Sequence, residues 1–168
     1  MRMSDGVEWA LHCCSLLAAL PPGEALPAAR LAEYHGVAPA YLAKHMQATT
    51  AAGITESVPG PKGGYRLARP AAEITVLDVV LAVDGDDTAF RCSEIRQRGP
   101  AVSDEPEAYR RACHIARTMW QAEEAWRQTL RATTIADLFT EVVTTVPGDV
   151  LVKGAEWIQD VQIRRRAR

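Results

Sequence analysis

The stretch "GPKGGYRLARPAAEITVLDVVLAVDG", residues 60–85, contains a glycine-rich loop, a short strand and a helix. The loop joins two strand-like segments, "ITESV" and "YRLAR", and its glycines permit backbone angles that other residues avoid. Thr75 and Asp78 have the three-residue spacing of a capping box, and Gly85 is placed to end the helix. The stretch therefore predicts a two-stranded hairpin, with Lys62 at its tip, followed by a capped helix.

Two short helices are predicted directly before this hairpin. The segment "LPAARLAEYHG", residues 26–36, is a short helix ended by glycine, and "VAPAYLAKHMQATTAAG", residues 37–53, carries a proline in its first turn. In the second helix, Leu42 and Met46 are spaced to face inward. Two helices joined by a tight turn are typical of a helix-turn-helix, whose second helix enters the major groove of DNA.

A helix-turn-helix followed by a hairpin predicts a winged helix that binds double-stranded DNA. The helix residues that remain outward are expected at the major groove or its phosphates, and the hairpin at the flanking backbone or the minor groove. His35, in the first helix of the pair, is expected at the surface or facing DNA. A winged helix that binds another protein is the alternative. The candidate DNA-binding residues are Tyr41, Lys44, His45, Lys62, Gly63 and Gly64.

Composition and charge agree with a DNA-binding globular protein. The chain has 168 residues and a net charge of −2, so it is not a polycation as a whole. Residues 27–70 carry five Lys/Arg against two Asp/Glu, whereas residues 84–107 carry seven acids and three arginines. Phosphate binding requires only a local basic face. The low cysteine count predicts a reducing cytoplasmic setting, and no stretch approaches the roughly 20 apolar residues of a membrane span.

The N-terminal segment "GVEWALHCC", residues 6–14, combines ligand and redox residue types. A cleaved leader is disfavoured, because charged side chains interrupt its apolar run. A helix is favoured instead, with Cys13 and Cys14 in the core. On that helix Glu8 and His12 are four residues apart and share a face. They are either an ion pair on a solvated surface or half of a metal site.

A second pair of candidate residues flanks the start of a predicted dimerisation helix. The segment "DDTAFRCSEIRQRGPAVSDEPE", residues 86–107, is predicted to be a loop carrying Cys92, and a long helix from Pro106 to about Ala132 carries Cys113. A narrow apolar seam on that helix suits a partner helix. The segment "TTIADL" starts another short helix, and the arginine-rich C-terminus is weakly patterned. The seam consists of Ala112, Ile115, Met119, Ala122 and Trp126.

The organisation is therefore mainly α with a small β-hairpin wing. We expect a winged helix-turn-helix with its N-terminal helix in residues 1–85 and a loop carrying Cys92 followed by the dimerisation helix in 86–140. A C-terminal segment, 141–168, completes the chain.

Three stretches, "APAYLAKHMQATTAAGI", "GPKGGYRLARPAAEITVLDVVLAVDG" and "TTIADL", resemble the Rrf-type winged-helix repressors, the IscR and NsrR group. The resemblance implies a homodimeric bacterial transcription regulator, and many such regulators carry an iron–sulfur cluster that controls DNA affinity. Cluster-binding members generally place three closely spaced cysteines before the dimer helix. This chain has only Cys92 and, twenty-one residues later, Cys113. The ordinary three-cysteine site is therefore absent.

"GVEWALHCC", "RCSEIRQRGP" and "ACHIAR" are similar to RsrR-type redox regulators within that group, in which a glutamate, a histidine and two cysteines hold a [2Fe–2S] cluster. The matching residues are Glu8, His12, Cys92 and Cys113, and Trp9 is a redox-coupled candidate. Imidazole in place of thiolate raises the potential of such a cluster. In a twofold dimer the dimer helix carries its loop toward the other subunit. We therefore expect each cluster to be shared between chains.

Three rival functions remain open from the sequence. A cluster-free repressor could sense oxidants through Cys92 and Cys113, and a zinc-bound regulator could use the same ligands structurally. A non-haem iron oxidoreductase is the rival from another class, but no nucleotide loop or catalytic triad pattern supports an enzyme. The sequence favours a redox-sensing transcription regulator.

Overall fold

The structure is a computed structural model that describes residues 3–60 and 63–166, with side chains up to residue 164. Helices dominate the described chain, and two strands form one antiparallel hairpin. This architecture confirms the expected mainly α fold with a small hairpin wing. In chain order the elements are α1 (Asp5–Ala18), α2 (Ala28–His35), α3 (Pro39–Ala51), β1 (Thr55–Val58), β2 (Gly64–Leu67), α4 (Val76–Asp84), α5 (His114–Arg131), α6 (Ile135–Thr145) and α7 (Gly148–Arg166).

Helix α1 is the central helix, because α3, α4 and α6 all pack against it. It turns an apolar stripe toward the core, with Val7 and Cys14 buried and Leu11 half-buried. Cys13 is also fully buried. Glu8 and His12 remain exposed on the neighbouring stripe, so the periodicity of the sequence correctly divided this helix into a core face and a solvent face.

Helices α2 and α3 form the helix-turn-helix, and the hairpin follows α3 directly. Gly36 ends α2 in the left-handed conformation, with a φ of 65° that favours glycine. Leu42 and Met46, on the inward face of α3, are fully buried. In the hairpin, Thr55 lies opposite Leu67 and Val58 lies opposite Gly64. The winged helix predicted from the sequence is therefore present in the described residues.

A capping box starts each of α4 and α6, and the N-cap residues of these two helices are paired with each other. At α4 the Asp78 amide donates to the Thr75 hydroxyl while the Asp78 carboxylate accepts from the Thr75 amide. Thr134 and Asp137 repeat this arrangement at α6. Thr75 and Thr134 also form an isolated antiparallel bridge. Both helix starts are fixed by local sequence, which explains why the sequence predicts them well.

The helix predicted to mediate dimerisation begins later than the sequence suggests. We expected it from Pro106, but Pro106–Tyr109 forms a separate 3₁₀ turn and α5 begins at His114. Cys113 is the N-cap, and its sulfur accepts the amide hydrogen of Ala116 at 3.3 Å. The Arg96 guanidinium donates hydrogen bonds to two carbonyls of the segment before α5, those of Ala108 and Arg111. Both carbonyls precede α5 and are bound by a side chain.

Helix α7 is an element that the weakly patterned C-terminal sequence did not predict. It buries a narrow stripe, in which Val161 joins the core and Trp157 and Ile158 pack against the same cluster. Trp157 lies on Tyr34 of α2, with ring centroids 4.9 Å apart. A stripe this narrow leaves most of the helix surface polar, so its periodicity is difficult to recognise.

Across the described residues, no helix is both long and apolar enough to cross a membrane.

Candidate functional site

One half of the expected site is the exposed face of α1. Glu8 and His12 both lie at the surface, one helical turn apart. The His12 ring is 5.6 Å from the ring of His35, measured between centroids. Both predicted ligands on α1 are thus available to a group that approaches from outside this chain.

His35 is half-buried, which corrects the expectation that it lies at the surface. Its Nε2 atom is buried and has no hydrogen-bond partner among the described residues. Burial lowers the pKa of His35, and the neighbouring His12 lowers it further. Tyr34 packs edge-on against the His35 ring at 5.0 Å. The ring therefore fills space between α1 and α2.

Trp9 connects α1 to the helix expected to read DNA. Its ring makes edge-to-face contacts with Tyr41, at 6.4 Å, and with His45, at 5.9 Å. His45 is half-buried, because its ring also lies so close to Gly6 that a Cβ there would overlap it. His45 thus packs between helices and is less outward than expected. Trp9, which stands between the two predicted ligands, touches two predicted DNA-binding residues.

The other half of the expected site lies in the loop before α5. Cys92 is half-buried, and the Glu94 amide donates to its sulfur at 3.4 Å. Glu94 has a φ of 49°, a left-handed conformation that is uncommon for a residue with a side chain. Such conformations persist where surrounding contacts enforce them and often mark functional sites. The turn at Glu94 therefore directs its backbone N–H to the sulfur of the candidate ligand Cys92.

Arg96 organises the segments that carry the two candidate cysteines. Its guanidinium pairs with the Glu94 carboxylate at 2.5 and 2.8 Å and donates to the Arg111 carbonyl at 2.9 Å. The hydrogen bond that Arg96 donates to the Glu94 carboxylate raises the pKa of Arg96, with smaller contributions from Cys113 and Cys92. The same bond lowers the pKa of Glu94. Arg96 thus lies within electrostatic reach of both thiols.

Arg96 was not among the residues singled out from the sequence. The available signal was an arginine in an acidic loop, four residues after a candidate ligand. Such a signal is weak, because charged residues in loops are usually solvated.

The two halves do not meet within one chain. Over residues 3–60 and 63–166, no three histidine, cysteine, aspartate or glutamate side chains are grouped closely enough to hold a metal ion. Cys13 and Cys14 do not replace the missing ligands, because burial raises the pKa of each thiol to about 12. Thiolates, not thiols, bind metals. Within the described part of one chain, the four expected ligand residues are therefore not brought together.

The surface expected to contact DNA is partly described. Tyr41 is 66% exposed at the start of α3, and Lys44 is exposed on the same helix. Gly63 and Gly64 approach neighbouring backbone so closely that a Cβ on either would overlap it. These two glycines are explained by packing alone, and their role in DNA binding stays a prediction. Lys62 lies outside the described residues.

Helix α5 exposes an apolar face. Ile115 is 67% exposed, and Met119 and Trp120 are also exposed. Exposed apolar side chains grouped on one helix commonly mark an interface. The expected seam needs correction at both ends, since Ala112 precedes α5 and Trp126 packs within its own chain against the cluster of Val7, Val76 and Val80.

The family described as "Rrf2: Iron-dependent Transcriptional regulator" matches residues 3–141. The chain belongs to the Rrf2 family. The HTH-type transcriptional regulator YwgB of Bacillus subtilis is 32% identical over 142 residues, which cover 84% of this chain and 86% of that protein. Such relatives of this Rrf2 protein are transcriptional regulators and not enzymes, which confirms that prediction and removes the oxidoreductase alternative.

Solved structures of other regulators share the Rrf2 winged-helix fold. CymR, the global cysteine regulator of B. subtilis, matches with a TM-score of 0.64 and 22% identity, over 83% of this chain and 97% of that chain. IscR of T. potens matches with a TM-score of 0.63 and 19% identity, over 90% of this chain and 96% of that chain. At these identities the likeness establishes the fold alone. The similarity to RsrR-type regulators stays an expectation from the sequence.

Proposed function

We propose that this Rrf2 protein is a homodimeric, cytoplasmic DNA-binding repressor that senses redox state through [2Fe–2S] clusters shared between its two chains. The observation that carries the proposal is the division of the ligand set. Glu8 and His12 are exposed on α1, whereas Cys92 and Cys113 lie around Arg96 before α5. Within the described part of one chain, no metal-binding group of three is present.

The chemistry of each donor supports this assignment. A [2Fe–2S] cluster supplies a one-electron couple, and a protein tunes that couple through ligand identity and through hydrogen bonds to sulfur. Cys92 and Cys113 each already accept one backbone N–H bond at sulfur. Carboxylate is a hard ligand suited to ferric iron, and imidazole carries less negative charge than thiolate.

Trp9 provides a route from the ligand face of α1 to DNA. It lies between Glu8 and His12 in the sequence, and its ring contacts Tyr41 and His45 of α3. A change in the position of α1 relative to the partner chain would therefore displace side chains at the start of the reading helix. Tyr41 selects sequence in this proposal, while Lys44 and the wing residues Lys62, Gly63 and Gly64 contact phosphates.

A mixed dimer tests the shared site. One protomer carries Glu8→Ala and His12→Ala, and the other carries Cys92→Ala and Cys113→Ala. If the ligands are shared, the mixed dimer retains one complete set and should contain half the iron and sulfide of the wild type, with a [2Fe–2S] absorption and EPR spectrum under anaerobic conditions. If one chain supplies all four ligands, neither site is complete and the mixed dimer should be colourless.

Cys13 and Cys14 offer a matched control for ligand identity. They follow His12 directly in the sequence but are fully buried. A Cys13→Ala, Cys14→Ala variant should therefore keep the iron content of the wild type, whereas Glu8→Ala should lower it. The opposite pattern would show that the wrong residues of α1 have been assigned.

A cluster-free thiol switch is the second candidate function. Cys92 and Cys113 are half-buried free thiols that both lie near Arg96. If they act alone, the anaerobically purified protein should be colourless, and DNA affinity should respond to oxidants without any change in iron content. In that case Glu8→Ala would leave the oxidant response intact, which the cluster proposal does not allow.

A further inference from the structure

A charged pair on the side of α5 lies against the start of the loop that carries Cys92. Glu123 and Arg127 are one helical turn apart, and their side chains are only 10% and 15% exposed. The guanidinium and the carboxylate meet at 3.1 Å. Charged side chains are seldom buried unless they are paired, and pairs at this spacing commonly lie on a solvated helix face. This pair is turned toward its own chain instead.

The first residues of the loop bind to this pair at two points. The Ala89 amide donates to the Glu123 carboxylate at 3.2 Å. The Arg127 guanidinium donates to the Asp86 carboxylate at 2.6 Å. Hydrogen bonds to ionised groups are stronger than those between neutral groups. Residues 86–89 are therefore attached to the side of α5.

The Glu123–Arg127 pair lies where α5 packs on the winged helix. The Arg127 guanidinium lies over the ring of Trp126, 5.3 Å from its centroid. Trp126 packs against the buried cluster of Val7, Val76 and Val80, which belong to α1 and α4. The attachment point of the loop is thus anchored to the core.

Cys92 follows this attachment closely. It is three residues after Ala89, a length of chain that spans at most about 11 Å. At the far end of the same segment, Cys113 is the N-cap of α5. The segment that carries both candidate cysteines therefore starts against α5 and ends by becoming α5.

We infer that Glu123 and Arg127 are positioning residues for Cys92, because they attach the start of its loop to the helix that Cys113 begins. Arg96 orders the later part of this segment, and the Glu123–Arg127 pair fixes its first residues. Both candidate cysteines then move with α5. The inference rests on the proposed role of Cys92, which the cluster and the cluster-free thiol switch both require.

The test measures the alkylation rates of Cys92 and Cys113 separately, by iodoacetamide labelling and peptide mass spectrometry of the full-length, cluster-free protein. Glu123→Ala removes the acceptor of the Ala89 amide, so the loop opens more easily and Cys92 should react roughly fivefold faster. Cys113 is fixed by α5 itself and should change by less than about twofold. Glu123→Gln keeps an oxygen that can accept from Ala89 and should restore part of the protection.

Glu124→Ala is the matched control. Glu124 is the next residue of the helix, and its carboxylate binds Gln128 at 3.1 Å and Arg131 at 3.6 Å, both on α5. Its substitution should leave both alkylation rates at the wild-type values. Equal acceleration of Cys92 in the two alanine variants would overturn the inference. Equal acceleration of Cys92 and Cys113 in Glu123→Ala would also overturn it, because the loss of order would then be general.

Asp86→Ala removes the other attachment without emptying a buried site, since the Asp86 side chain is 74% exposed. If circular dichroism shows that Glu123→Ala does not fold, Asp86→Ala decides the question. Faster alkylation of Cys92 alone supports the inference, and wild-type rates at both cysteines overturn it.

Iron release separates this inference from the proposed cluster. In the cluster-loaded protein, Glu123→Ala should release iron to a chelator faster than Glu124→Ala does. If the wild type contains neither iron nor sulfide, the proposed cluster is wrong, and the alkylation rates alone decide whether the pair positions Cys92. If the cluster is present and Glu123→Ala changes neither alkylation nor iron release, the positioning role is wrong and the cluster stands.

Discussion

Arg96 is expected to control the order of the loop that carries the candidate cysteines. Its guanidinium holds Glu94 and the carbonyls of Ala108 and Arg111. Because Arg96→Ala removes all of these hydrogen bonds, it should speed amide exchange in residues 91–112 by roughly tenfold. Hydrogen-exchange mass spectrometry of the cluster-free protein measures this directly.

Arg98→Ala is the control for that experiment. Arg98 lies two residues further on and makes one long bond, of 3.4 Å, to the Ser93 carbonyl. Its substitution should leave exchange close to the wild-type rate. Similar exchange rates in the two variants would show that Arg96 does not order the loop.

The buried thiols of Cys13 and Cys14 predict a loss of stability in alkaline solution. Folding raises the pKa of each from 9.0 to about 12 through desolvation. The folded state therefore keeps these protons where the unfolded chain releases them. The resulting stability is fully present below pH 9 and is lost as the pH rises from about 9 toward 12, on the order of 1 kcal/mol for each thiol by pH 10.

Urea unfolding at pH 8 and pH 10 tests this expectation in the reduced, cluster-free protein. The Cys13→Ala, Cys14→Ala variant should lose clearly less free energy of unfolding between these two pH values than the wild type. Equal losses in the two proteins would mean that the buried thiols do not titrate as their burial requires.

Among the elements, those fixed by local sequence rules were predictable and those fixed by distant contacts were not. The capping box of Thr75 and Asp78 and the left-handed conformation of Gly36 are each determined by residues close together in the sequence. The start of α5 depends instead on Arg96, whose guanidinium donates hydrogen bonds to carbonyls of a segment up to fifteen residues away. Helix α7 depends on burial against α2, which its own periodicity does not reveal.

Trp157 is expected to anchor α7 to α2. It packs on Tyr34 and against the core cluster, but it is only half-buried. Complete burial makes a Trp→Ala substitution cost about 3–5 kcal/mol, so Trp157→Ala should lower the free energy of unfolding by roughly 2 kcal/mol. Val152→Ala, an exposed residue of the same helix, should change it by less than about 0.5 kcal/mol. Similar small effects in urea unfolding would show that α7 is not anchored through Trp157.

At the scale of the whole molecule, the sequence predicted the parts of the site better than their assembly. The spacing of Glu8 and His12 placed both on one helix face, and the structure confirms that placement. No spacing in the sequence relates this pair to Cys92 and Cys113, because in the proposed site that relation depends on how two chains meet. The four-ligand set therefore rests on the resemblance to RsrR-type regulators. In the proposed dimer, the exposed apolar face of α5 is the feature that connects dimerisation to the site.

Met119 provides a test of that connection. It lies between Ile115 and Trp120 on the exposed apolar face of α5. In a twofold dimer a substitution there occurs twice at one interface. Met119→Asp would bury two unpaired carboxylates at an apolar contact, at several kcal/mol in total. We expect sedimentation velocity to show a monomer with the circular dichroism of the wild type, whereas Val152→Asp, exposed on α7, should remain dimeric. Because each chain contributes only half of the ligands of any one cluster in the proposed shared site, the folded monomer should also lack iron and sulfide. A Met119→Asp monomer with the full wild-type iron content would contradict the shared site and require all four ligands to come from one chain.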